Sequence, residues 1–184
     1  MSTKPDVLVV TCGGAAPRGL DEALEGQGAR ISTLDLPATA RPEEIQQRLA
    51  TYIATAGTPS VLVNQLHPLE PGRRPEQVSN AAIRQGVDVN LTRTLLSCQA
   101  VGRVMIDAGG GTIVVVFAGS PDDPVSRITD AAAYGLVRVL SVEWAPHQVR
   151  VIAVSPTGPP GAGRDAAVAE TIGFLISDDA SYVT

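Results

Sequence analysis

The sequence has few of the residues on which several large classes of protein depend. Only two of its 184 residues are cysteine, Cys12 and Cys98, and each lies in an apolar stretch far from the other. Such a pair provides neither a disulfide framework nor a metal-ligand spacing. We therefore expect no metal site and a cytoplasmic chain.

Long apolar runs and basic clusters are also absent. The longest apolar runs, Val7 to Val10 and Ile113 to Ala118, are far shorter than the roughly 20 residues that span a bilayer. The first residues, M-S-T-K-P-D, contain no apolar signal segment. With 14 basic and 19 acidic residues the net charge is -5, and no basic cluster extends beyond Arg73 and Arg74. We therefore expect neither membrane insertion nor nucleic-acid binding.

The sequence does contain an alternation of short β-branched runs and segments of helical period. A chain of 184 residues with 44% hydrophobic content is long enough for one well-buried domain and short for two. Alternation of this kind is typical of β–α units that feed a parallel sheet buried on both faces. We predict one α/β domain over residues 1–184.

The predicted elements follow from hydrophobic period and from helix start and stop signals. The predicted strands are Val7 to Val10, Arg30 to Leu36, Ser60 to Asn64, Thr112 to Ala118 and Val149 to Val154. The predicted helices are Leu20 to Gln27, Pro42 to Ala56, Pro75 to Asp107, Ser126 to Trp144 and Ala166 to Ile176.

Four segments carry a family resemblance. They are V-N-L-T-R-T from Val89, G-G-G-T-I-V from Gly109, G-L-V-R-V-L-S-V-E-W-A-P from Gly135 and S-D-D-A-S-Y-V-T from Ser177. Together they resemble the short-chain dehydrogenase/reductase family over nearly the whole chain. The resemblance implies a trimmed, Rossmann-like, doubly wound parallel sheet. In that family a dinucleotide lies across the carboxyl edge of the sheet. A tyrosine, a lysine four residues later, a serine and an asparagine supply the chemistry.

The family's catalytic positions hold other residues in this chain. Alignment without gaps from the W-A-P turn places the tyrosine on Ser126 and the lysine on Asp130, and the serine position falls on Ala118. Hydride transfer to a carbonyl needs a proton donor whose pKa is lowered by a nearby cation. Only Asn90 is retained, and we expect a helix kink or a backbone hydrogen bond from it. The resemblance thus implies no catalytic residue here.

The nucleotide loop is degenerate as well. The family's T-G-x-x-x-G-x-G brings backbone N–H groups to the pyrophosphate, but residues 11–19 read T-C-G-G-A-A-P-R-G. Arg18 could meet a phosphate, whereas Pro17 removes a donor N–H. We expect no cofactor in this chain, and the vestigial candidates for binding one are Thr11, Gly13, Gly14 and Asn64.

Asn64 opens the segment N-Q-L-H, which stands where the family has N-N-A-G. The small residues against which the cofactor would lie are therefore lost. His67, the last residue of this segment, is expected to be a solvent-facing loop residue and not a base.

Three parts of the family fold are predicted to be missing. Asp35 could bind a ribose, but the segment from Leu34 resembles a later strand end of the family, which implies loss of one β–α unit between Ile31 and Leu34. The region after Pro156 is too short for the family's substrate lid. The chain ends at Thr184, before the family's closing strand.

Two helices, around residues 87–107 and 126–144, correspond to those that form a four-helix dimer interface in the family. A scaffold that keeps these helices and loses its chemistry is typical of an inactive subunit. The resemblance therefore favours a chain that stabilises or completes an active NAD(P)-dependent paralogue, with the NAD(P) held by that partner. A homodimer is the alternative assembly.

Other functions stay open on the sequence alone. One is an oxidoreductase with a non-standard NAD(P) site. Another is a cofactor-free enzyme similar to halohydrin dehalogenases, with Ser120, Tyr134 and Arg138 as its site. The last is a module that binds a small ligand in the vacated cleft.

Overall fold

The computed structural model describes residues 4–12, 19–25, 28–69, 74–120, 122–158 and 161–183. Five parallel strands form one sheet in the order β2-β1-β3-β4-β5. The strands are β1 (Asp6–Thr11), β2 (Arg30–Asp35), β3 (Val61–Gln65), β4 (Gly111–Val116) and β5 (Val149–Val154). The predicted α/β class and the parallel, Rossmann-like sheet are confirmed.

Helices cover both faces of the sheet. A separate cluster of buried hydrophobic side chains lies between the sheet and the helices on each face. One face carries α2 (Pro42–Ala56), α4 (Arg93–Ala108) and α5 (Pro124–Trp144), and the other carries α1 (Leu20–Glu25) and α6 (Ala162–Ile176). A further helix, α3 (Asn80–Gly86), joins α4 through a π-helical segment, Val87–Thr92. Short 3₁₀ turns occur at Pro75–Gln77, Ala145–His147 and Asp178–Ala180.

The strands alternate their side chains between these two clusters. Leu8 and Val10 of β1 point into the cluster beneath α2, α4 and α5, while Val7 and Val9 point into the cluster beneath α1 and α6. Because both faces are covered, the inner strands β1 and β4 contain unbroken hydrophobic runs, Val7 to Val10 and Ile113 to Val116. The edge strand β2, R-I-S-T-L-D, is more polar and has no fully buried residue.

The structure corrects several predicted bounds. β4 ends at Val116, not at Ala118, because the N–H of Ala118 donates to the Asp130 side chain and no longer to a strand. α6 begins at Ala162, four residues before the predicted start, since the N–H of Asp165 closes the first turn on the carbonyl of Gly161 (3.0 Å). The predicted helix over 75–107 is divided by the π segment.

The sheet is narrow on one side of β1. Among the described strands only β2 lies there, with Thr11 beside Asp35 in the register, whereas the doubly wound dinucleotide fold has more strands on that side. This order agrees with the predicted loss of one β–α unit. No helix among the described residues is long and apolar enough to cross a bilayer. The described ranges also hold no cluster of metal-ligating side chains.

Candidate functional site at the carboxyl edge

Ligands of open α/β sheets bind outside the carboxyl ends of the strands, so the ends of β1, β3 and β4 define the candidate site. Gly13, Gly14, Pro17 and Arg18 lie outside the described residues. Thr11, at the end of β1, is buried, and its hydroxyl donates to Asp35 Oδ1 across the neighbouring strand (3.2 Å). The Thr11 hydroxyl of the predicted phosphate loop therefore already has a hydrogen-bond partner within the chain.

Asn64, the penultimate residue of β3, is also buried. Its amide donates to the sulfur of Cys98 on α4 (3.4 Å). Burial raises the pKa of the Cys98 thiol to about 12, although the hydrogen bond from Asn64 acts in the opposite direction. The thiol is therefore protonated and unreactive at neutral pH, and the pair joins β3 to α4.

Asn90, the retained family residue, lies in the π-helical segment and is fully buried. Its Oδ1 accepts from the N–H of His67 (2.8 Å), and its Nδ2 donates to the carbonyl of His67 (3.0 Å) and to Thr129 Oγ1 (3.1 Å). The expected hydrogen bond to backbone is found, and the helix is π-helical at this position. Asn90 thus joins the loop after β3 to α5.

Ser126, at the position of the family tyrosine, is fully buried in the first turn of α5. Its hydroxyl donates to the carboxylate of Asp123 and accepts from the N–H of Leu69 (3.1 Å). Asp123 caps the helix by accepting from the N–H groups of Val125 and Ser126 (3.1 Å each). The Ser126 hydroxyl thus donates one hydrogen bond and accepts another within the chain.

Asp130, at the position of the family lysine, lies one turn further along α5. Its Oδ1 accepts from the N–H of Ala118 (3.1 Å) and its Oδ2 from the N–H of Gly119 (3.3 Å). Burial raises the pKa of Asp130; the two amides oppose that shift, and the negative charge of Asp123 adds to it. The site therefore contains a partly buried acid at the position that the sequence analysis predicts to correspond to the family's lysine.

Ser120, Tyr134 and Arg138, the alternative catalytic set, are not joined by any hydrogen bond among the described residues. Tyr134 is 53% exposed, and Arg138 is exposed beside it on α5, whereas Ser120 is half-buried. The structure thus provides no contact that would activate the tyrosine or the serine.

His67 lies in a loop, as predicted, and is half-buried; Asn90 holds its peptide group against the helix. Burial lowers the pKa of His67, and the charge of Arg93 lowers it further. The imidazole lines a cavity of about 460 Å³ together with Leu69, Gln85 and Asp123. A histidine in a loop gives no sequence signal of such burial.

Arg93 is a residue that the sequence analysis did not single out. It is only 4% exposed, and its Nη2 donates to the carbonyl of Pro37 (2.8 Å), while Nε and Nη1 have no hydrogen-bond partner among the described residues. Its place within V-N-L-T-R-T gives no hint that a charged side chain is buried there. Arg93 holds the loop after β2 against α4.

Comparison with known proteins identifies the family of this fold. The model of the short chain dehydrogenase family matches residues 3–160. The chain belongs to this family. It is 31% identical over 140 residues to galactitol 2-dehydrogenase of Rhizobium johnstonii, covering 72% of the chain and 53% of that protein. It is 27% identical over 196 residues to cyclohexanol dehydrogenase of Acinetobacter sp., covering 92% and 76%.

Solved structures show the same fold. The 3-ketoacyl-(acyl-carrier-protein) reductase of Brucella melitensis, complexed with NADH, matches with a TM-score of 0.84 at 18% identity, over 98% of this chain and 93% of that one. The structure of gox2181 matches with a TM-score of 0.83 at 24% identity, over 99% and 92%. The chain spans about half the length of galactitol 2-dehydrogenase.

Proposed function

We propose that this short-chain dehydrogenase is catalytically inactive and associates with an active NAD(P)-dependent member of its family, which it stabilises or completes. The observation that carries the proposal is the state of Ser126 and Asp130. Ser126 stands at the family's tyrosine position with its hydroxyl fully engaged by Asp123 and Leu69. Asp130 stands at the lysine position with its carboxylate on two backbone amides.

This arrangement supplies neither part of the family's proton transfer. A serine hydroxyl that donates to a carboxylate has no lowered pKa and no free proton for a carbonyl oxygen, and a carboxylate cannot provide the positive charge that acidifies a neighbouring hydroxyl. Ala118 supplies no hydroxyl at the end of β4. Reduction of a carbonyl by this chain alone would need groups that these positions lack.

The residues predicted as vestigial nucleotide-binding candidates support the same proposal. Thr11 is paired with Asp35, and Asn64 with Cys98, so each described vestigial candidate has a partner within the fold. Beyond β1 the described sheet has one strand, β2, so one wall of the region where the adenosine would lie is missing from it. We infer that the partner holds the NAD(P).

The surface for that partner is a stripe on α5, formed by Ile128, Ala132, Gly135, Val139 and Val142. Ile128, Val139 and Val142 are 63%, 60% and 72% exposed. The stripe repeats at alternating intervals of four and three residues, the spacing of a helix–helix seam, and its small residues permit close approach. Large apolar side chains exposed along one helix face mark an interaction site.

A small-ligand-binding module is the second candidate, and the cavity of about 460 Å³ beside His67 favours it. Its volume lies within the range of pockets for small organic molecules. Thermal stabilisation by a metabolite, abolished by Leu69→Trp within the cavity, would favour this function over the subunit function.

Native mass spectrometry of the tagged protein, purified from its own cells, tests the subunit proposal. We expect a stoichiometric complex with a dehydrogenase that has an intact Tyr-x-x-x-Lys site. Val139→Lys on the stripe should abolish the complex, and the control Glu22→Lys, exposed on α1, should preserve it. A homodimer alone, or NAD(P)H-dependent turnover by the isolated chain, would refute the proposal.

A further inference from the structure

The backbone at the end of β4 presents two consecutive N–H groups to one carboxylate. Ala118 donates to Oδ1 of Asp130 (3.1 Å) and Gly119 to Oδ2 (3.3 Å). Gly119 has a φ of +60°, in the left-handed region. Successive N–H groups that converge at such turns form concavities that bind anions.

We propose that these two amides form a binding site for a carboxylate or another small oxyanion, and that Asp130 is its resident ligand. The side chain of Asp130 thereby keeps closed a site that an external anion could otherwise enter. Anion binding here requires neither cofactor nor partner, so it is independent of the function proposed above.

The surroundings of the two amides support an anion and not merely a helix contact. The Nη1 atom of Arg164, at the start of α6, donates to the carbonyl of Gly119 (3.2 Å) and brings a positive charge beside the pair. Asp123 is the negative group that acts on Asp130, and it disfavours the ionised form. An external carboxylate at this place would gain the same two hydrogen bonds and the same nearby cation, and it would meet the same burial and the same negative charge of Asp123.

Burial is the largest cost of keeping Asp130 ionised at this position, and it raises the pKa of this carboxyl group. Without the Asp130 side chain the N–H groups of Ala118 and Gly119 lose their acceptor in a partly buried position, and a small anion that binds them recovers the cost of those unsatisfied donors. Removal of the Asp130 side chain should accordingly leave two amides that bind a small exogenous anion in its place.

Formate provides the test, with sodium chloride at equal ionic strength as the reference salt. In Asp130→Ala, formate should raise Tm, and once the site is saturated the rise should follow the logarithm of the formate concentration. Formate should also shift the amide resonances of Ala118 and Gly119 along one binding curve. The wild type and Asp107→Ala, which removes an exposed acid from the end of α4, should show neither effect. Absence of a formate-specific response in folded Asp130→Ala would overturn the proposal.

A second measurement on the unmodified chain covers the case in which Asp130→Ala does not fold. The amide protons of Ala118 and Gly119 should shift together with the carboxyl carbon of Asp130 during an acid titration, with one shared midpoint. Asp123 must be followed in the same spectra, because its charge acts on Asp130. Amide shifts that follow Asp123, or that do not change as Asp130 titrates, would contradict the assignment of Asp130 as the resident ligand.

Discussion

The carboxamide of Asn90 pairs with both polar groups of the His67 backbone, accepting from its N–H at 2.8 Å and donating to its carbonyl at 3.0 Å. One fully buried side chain thereby replaces two hydrogen bonds that the loop after β3 cannot obtain from the sheet. The remaining donor capacity of Asn90 goes to Thr129 on α5. The residue that the family uses beside its catalytic centre thus has an architectural role in this chain.

Asn90→Ala should therefore destabilise the protein strongly. The substitution leaves the N–H and carbonyl of the half-buried His67 without these partners, and an unsatisfied buried group costs about 1–3 kcal/mol. We expect a loss of about 2–4 kcal/mol in the free energy of unfolding, measured by urea denaturation. Asn80→Ala, at an exposed position on α3, is the control. A loss similar to that of the control would show that the pairing contributes little.

Gly86→Ala should be destabilising for a steric reason. A Cβ at this position would overlap Val125 Cγ1 and lie 2.9 Å from Leu69 Cδ1, so α5 or the loop after β3 would have to shift. Overpacking of this kind costs about 1–3 kcal/mol. Gly163→Ala in α6, where an added Cβ meets nothing within 4 Å, should have no such cost. Equal Tm values for the two variants would contradict the packing that we describe here.

His67 should make the stability of the chain depend on pH. Because the pKa of His67 is lowered by burial and by Arg93, the unfolded chain binds the proton more tightly than the folded one. The contribution of His67 is present above its ordinary pKa of 6.5 and is lost as the pH falls through the lowered value. His67→Gln should flatten the fall in unfolding free energy between about pH 7 and pH 5.

The exposed His147 supplies the control for that titration. His147→Gln should leave the wild-type slope unchanged, with urea midpoints measured at several pH values. If His67→Gln and the wild type lose stability in parallel on acidification, the desolvation of His67 is not energetically significant.

Arg150 should determine whether the C-terminal segment stays on the sheet. Its guanidinium donates to the carbonyls of Leu175 (3.0 Å), Ala180 (2.6 Å) and Val183 (3.3 Å), and to Thr112 Oγ1 (3.0 Å). Arg150→Ala should cost about 2–4 kcal/mol and should speed amide hydrogen exchange over residues 178–183. Arg150→Lys retains the charge but not the planar set of donors, so it should restore only part of the protection. Exchange unchanged in both variants would count against this role.

Local signals accounted for much of the fold. α2 was predicted at its observed bounds, because Pro42 and two acids open it and Gly57, with a φ of +89°, ends it. The π segment was not predicted, since it accompanies a hydrogen bond between Asn90 and a loop 23 residues away in the chain. The burial of His67 and Arg93 depends on the same long-range packing, which hydrophobic period does not encode. The identities at the candidate site came from the family resemblance, but their hydrogen-bond partners required the structure.

Ser126→Tyr combined with Asp130→Lys should not create reductase activity. A tyrosine at 126 would have to replace a fully buried serine held between Asp123 and Leu69. A lysine at 130 would leave the N–H groups of Ala118 and Gly119 without their acceptor. The nucleotide loop would still contain cysteine and proline at glycine positions.

Oxidation of NADH and NADPH with a panel of carbonyl substrates is the measurement for this double variant, with circular dichroism to establish that it folds. We expect turnover no higher than that of the wild type. Turnover well above that baseline in the folded variant would mean that the chain binds dinucleotide productively and that only two side chains separate it from an active enzyme. The inactive-subunit proposal would then give way to that of an oxidoreductase with a non-standard NAD(P) site.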